Sequence, residues 1–218
     1  MITRKTKAES RLEHRKKGFT LTEIAIVLGI MGLILGAIWT AASSVYTNMR
    51  TTHADTAVMQ IVQGTRALFA SSQTTGYGAA TNITTQLVSA GTIPTDLISG
   101  ATVVGPFANG STGVIATSDG NGFVVVMTAV PPQNCIGVLT GVGGSSADPG
   151  LFAANAAANA AISAADATTT GTPLQQLATP ITVTPTIAAA AVAGTAPSTY
   201  GGCTGQSSYK IRLGFTLK

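Results

Sequence analysis

Apolar side chains run almost without a break from Phe19 to Tyr46, and no charged residue occurs from Ile24 to Met49. A helix over those 26 positions would be about 39 Å long at about 1.5 Å per residue, enough to cross a hydrocarbon core of about 30 Å. Downstream the pattern changes character. Ala54, Val58, Ile61, Val62, Thr65, Leu68 and Phe69 recur at helical spacing, and no proline occurs before Pro94. The spacing predicts one helix from about Phe19 to Ala70. Its first half, residues 19–45, is apolar all round; its second, residues 46–72, is amphipathic and lays one face on a globular domain of residues 73–218.

Beyond Ser71 the texture shifts to Gly, Thr and Ser, and strand-like pieces follow. GVIATS (113–118) and FVVVMTAV (123–130) flank DGNG (119–122), whose residues tolerate positive φ, so a β-hairpin is expected. Pro131 and Pro132 end its second strand, and QNCIGVLT starts a short helix carrying Cys135. In YKIRLGFTLK (209–218), Tyr209, Ile211, Leu213, Phe215 and Leu217 alternate with Lys210, Arg212, Thr216 and Lys218. That predicts an antiparallel strand with one buried face. Residues 141–200 are rich in Ala, Thr, Gly and Pro; the alanine run predicts a short helix from Phe152 to Ala165, and much of the rest reads as loop. The fold class is therefore α+β: a long N-terminal helix packed on an antiparallel sheet.

Charge sharpens this picture. Seven of the twelve Lys and Arg residues lie in positions 1–18, against two of the eight acids, so the sequence pI of about 9.3 belongs to the basic front end. The body has no basic face, and no nucleic-acid partner is expected for it. A basic flank before the apolar run and very few cations just after it place the N-terminus in the cytoplasm and the body across the membrane. Charged residues make up 9% of the chain, which suits an exported or assembled protein better than a cytosolic surface. For such a chain the even pair Cys135 and Cys203 favours a disulfide closing the Ala/Thr-rich region 135–203, with two separate buried thiols as the alternative.

Within KKGFTLTEIAIVLGIMGLILG (16–36) a single carboxylate, Glu23, interrupts the apolar run. Three readings meet there: a secretory signal cleaved near Ala42, a plain uncleaved anchor whose acid sits near the interface, and a third carried by the order of the residues. KKGFTLTEIAIVLGIMGLI resembles the signature of type IV prepilins and pseudopilins, with a basic leader ending in glycine, a cut before a hydrophobic residue and a glutamate fifth after the cut. The resemblance implies that residues 1–18 are a leader removed after Gly18. Phe19 becomes a methylated N-terminus, and Glu23 is the assembly glutamate that meets the Phe19 amine of a neighbouring subunit. A paired charge in low dielectric interacts far more strongly than in water, and such a pair sets register. Ala25, Gly29, Gly32 and Gly36 provide small-residue spacings at which helix backbones can approach closely.

The resemblance further implies a pilin fold and self-association into a helical filament. The implied partners are a prepilin peptidase, an assembly platform and an ATPase, with the inner membrane holding stored subunits whose heads face the periplasm. The leader length, the size of the mature chain and the segment from Cys135 to the terminal strand resemble type IVb pilins, in particular the PilS-like pilins of conjugative plasmids. Phe19 and Thr40 depart from the commoner patterns: the first is more usual in short-leader pilins, and the second stands where many of those have proline. Alternatives are a type II secretion pseudopilin or minor pilin, and, in a different class, an anchored periplasmic adhesin that never polymerises.

No catalytic constellation can be assembled. His53 reads as a surface or interface residue, and no carboxylates show metal-ligand spacing, so neither an enzyme nor a metal or cofactor is expected. Asp119 to Gly122 resembles part of a calcium loop but has no distant acidic ligand, which favours a tight turn.

Overall fold

The computed structural model describes residues 19–72, 74–77, 80–100, 102–117, 120–144, 148–169, 172–173, 203 and 205–217. The leader 1–18, Asp119 of the hairpin turn and most of the loop 170–202 lie outside the described residues. In chain order the elements are α1 (Leu21–Phe69), α2 (Thr84–Ser89), a 3-10 turn (Thr95–Leu97), β1 (Ile98–Ser99), β2 (Thr102–Val103), β3 (Thr112–Ala116), β4 (Gly122–Val130), α3 (Pro132–Gly143), β5 (Leu151–Ala158), a 3-10 turn (Ala164–Ala167), β6 (Thr168–Thr169), β7 (Thr172–Pro173) and β8 (Tyr209–Thr216). The class is α+β, as expected. The chain divides into two units, Met1–Ser43 and Ser44–Lys218. In the first, every described residue from Leu21 on is helical.

The C-terminal unit is built on a four-stranded antiparallel sheet of order β3-β4-β8-β5. The hairpin β3/β4 forms where expected, with Ala116 opposite Phe123. Inserting β8 between β4 and β5 makes the last strand of the chain a central one. Cross-strand partners line up over the main core: Val114 pairs with Val125, Val125 with Leu213, and Leu213 with Ala154. Phe123 stacks on Phe215 at 5.9 Å. Ala54, Ala57, Val58, Ile61, Val62 and Thr65 form the buried stripe of α1, spaced alternately three and one residues apart so that they share one helix face. Leu68, expected on that face, is 40% exposed, while Phe69 packs edge-on against Tyr77.

Two expectations need correction. The alanine run is a strand, not a helix: β5 pairs along its length with β8, and Leu151, Ala154 and Ala156 join the main core beside α3. Alanine's helix preference is a few tenths of a kcal/mol per residue, and tertiary pairing overrides a bias that small. The second correction concerns β8, whose other face is not exposed. Lys210 is 7% and Arg212 4% exposed, because residues 159–167 cross that face and bring Asp166 onto it. Next to this site a second, smaller core forms from Ile115, Val124, Val126, Phe152, Ala153 and Ala167.

Candidate assembly site

The start of α1 is capped by Thr20. Thr20 Oγ1 accepts the Glu23 backbone N–H at 3.3 Å, and Thr20 O accepts the N–H groups of Glu23 and Ile24. Thr20-Leu21-Thr22-Glu23 is the S/T-x-x-E pattern of a capping box, a signal present in the sequence that the functional reading of Glu23 passed over. Its acid also lies at the helix end where negative charge is favourable. Glu23 is exposed, as is Phe19; Gly18, the other half of the expected cut, lies outside the described residues.

From Phe19 to Met49 the large apolar side chains are exposed. Leu21 is 90% and Trp39 80% exposed. Helix α1 is long and apolar enough to cross a membrane, and none of its most apolar window is buried within the chain. A Cβ added at Gly29, Gly32 or Gly36 would meet no atom within 4 Å, and Ala25 is exposed too. Among the described residues, none packs against these three glycines. Such an apolar surface is a liability in water and requires lipid or other protein.

These observations coincide with a sequence signature. Residues 14–39 match the prokaryotic N-terminal methylation motif. The matched span contains Gly18, Phe19 and Glu23 as well as the four small residues. No curated protein matches the chain. Among solved structures, it is similar to the crystal structure of TcpA, a type IV pilin from Vibrio cholerae El Tor biotype, with 17% identity and a TM-score of 0.49 over 77% of this chain and 99% of that one.

Three further constellations in the C-terminal unit were not foreseen. At the end of α1, Arg66 grips Asp148 with both guanidinium nitrogens, at 2.6 and 2.7 Å, and its Nε donates to Thr216 O at 2.9 Å. This hydrogen bonding holds the Asp148 carboxyl below the usual carboxylate range, although partial burial opposes it. On the second face of the sheet, Asp166 Oδ1 lies 2.6 Å from Lys210 Nζ and 3.7 Å from Arg212 Nη1, while Arg212 Nε donates to Asn155 Oδ1. Burial lowers the Arg212 pKa, and the Asp166 charge counters it. Both pairings join residues far apart in sequence, and no local signal marks them.

The third is the contact of α3 with α1. Asn134 Nδ2 donates to Thr47 O and Thr51 Oγ1, both at 2.9 Å. One turn on, a Cβ at Gly137 would lie 2.9 Å from Thr51 Cγ2, and one at Gly141 would lie 2.7 Å from Asp55 Cγ. Thr51 and Asp55 are four apart on α1, as Gly137 and Gly141 are on α3, so two small-residue notches receive two α1 side chains. Cys135, on α3, is bonded to Cys203 across 68 residues.

His53 Nε2 lies 2.6 Å from Asp96 Oδ2 at the surface, both about half exposed. Among the described residues no group of three or more His, Cys, Asp or Glu side chains could hold a metal ion.

Proposed function

We infer that this chain is a prepilin whose mature form begins at Phe19 and polymerises as the major subunit of a type IV pilus. The role is structural, not enzymatic. The observation that carries the reading is the methylation-motif match over residues 14–39, laid on a helix whose apolar half is exposed.

In this reading a prepilin peptidase cuts after Gly18 and the new Phe19 amine is methylated. The subunit waits in the inner membrane with residues 73–218 on the periplasmic side, and an assembly platform driven by an ATPase moves it into the extracellular filament. Glu23 then meets the Phe19 amine of an adjacent copy. One repeated head-to-tail contact gives a fibre, because its screw operation does not close. Ala25, Gly29, Gly32 and Gly36 are the positions where helices pack in the filament core.

Mass spectrometry of sheared surface filaments tests this. An N-terminal N-methylated Phe19 supports the reading; a start at Ser43 would assign ordinary signal cleavage, and an intact leader would assign a plain anchor. Glu23→Gln sharpens the test, since glutamine can still complete a capping box but has no charge to pair. The variant should be processed normally and yield few filaments. Abundant filaments from it would reduce Glu23 to a helix cap.

A further inference from the structure

We propose that Asp55 is a protonation switch on the docking of α3 against α1: α3 seats tightly while this carboxyl is neutral and loosens when it ionises. The proposal does not rest on the filament reading.

The geometry is that of a half-buried acid at a helix–helix contact, one of its carboxyl oxygens shut away from water and none of the described residues pairing with it. The Asp55 carboxyl lies against Gly141 so closely that a side chain at that position would collide with it. Asp55 Oδ1 is buried and has no hydrogen-bond partner. Across the contact, α3 (PQNCIGVLTGVG) offers no ionisable side chain except Cys135, which is held in the disulfide. On α1 itself the neighbouring ionisable groups are engaged elsewhere. Arg50 sits over the Tyr46 ring at 4.7 Å and donates to its hydroxyl, His53 pairs with Asp96, and Arg66 is held by Asp148. A buried carboxylate without a cation or donors is expensive, whereas the neutral acid carries much less of that cost.

Burial accordingly pushes the Asp55 carboxyl from 3.8 up to about 7, with no charged neighbour contributing. When α3 undocks, the group regains water and an ordinary value. The docked state therefore holds its proton over a range where the undocked state has lost it. Docking is strongest below about pH 4, weakens as pH rises toward 7, and levels off above that. Because α3 carries Cys135, the same contact holds one root of the disulfide-closed segment 135–203.

The test is amide hydrogen exchange over residues 132–143 of the full chain in detergent micelles at pH 5 and pH 8, corrected for intrinsic exchange rates. Protection in the wild type should fall by about tenfold or more between the two, since each unit of pKa shift is a tenfold linkage. Asp55→Asn should show equal protection at both values, and His53→Gln should keep the wild-type slope. A flat wild type, a sloping Asp55→Asn or a flat His53→Gln would overturn the proposal. Should Asp55→Asn fail to fold, carbon-13 titration of the wild-type Asp55 carboxyl decides: a midpoint above 6 supports the switch, and one near 4 removes it.

Discussion

Asp166 sits among two cations and a buried amide, and its removal tests how a mostly uncharged body tolerates charge inside. Without it, Lys210 and Arg212 stay buried on the second face of the sheet with no counter-charge. Breaking a buried pair by deleting one partner costs about 3–5 kcal/mol. We expect Asp166→Ala to lose stability in that range by urea denaturation. A loss below about 1 kcal/mol would mean that water already screens the cluster. At this scale the sequence was legible in part. Alternation correctly put Lys210 and Arg212 opposite the core-facing residues, but it could not say that the opposite side would also be closed. Glu23 stands in a capping pattern that local spacing shows, and the assembly role proposed for it is one that no single chain can display.

Among the elements, α1 was the most legible, because periodicity over 49 residues averages out local noise. The hairpin β3/β4 was legible as well, since a turn-prone segment separates two short runs rich in β-branched residues. Strand β5 was not, because a run of alanines carries a helix preference too weak to resist a neighbour that offers a full ladder of backbone hydrogen bonds. The anchor at the far end of α1 gives a prediction at this scale. Asp148 is held ionised by Arg66, so its folded-state pKa lies below its unfolded value of about 3.8. The stability it contributes is fully present above that value and is lost as pH falls through and below it. Melting temperatures from pH 6 to pH 2 should show an acid limb in the wild type that is reduced in Asp148→Asn. Superimposable limbs would show that the Arg66 grip contributes nothing.

For the molecule as a whole, the bond between Cys135 and Cys203 closes a loop of 68 residues and ties α3 to the segment just before β8. In the chain-entropy model, closing such a loop stabilises the folded state by about 4 kcal/mol. Cys135→Ser should therefore unfold at lower urea, and reductant should move the wild type toward the variant while leaving the variant unchanged. A midpoint insensitive to reductant would mean that the bridge closes a region already fixed by packing. By itself the sequence determined what depends on neighbours along the chain: the long helix and its change from apolar to amphipathic, the hairpin, the basic front end and the order of residues around Gly18. Only the tertiary structure decided what depends on residues distant in sequence: β8 between β4 and β5, the alanine run as a strand, the Asp166 cluster, the Arg66 grip and the acid facing Gly141. A local pattern fixes how a segment can bury its own apolar side. Which buried charge meets which partner follows from chain segments that only the tertiary fold brings together.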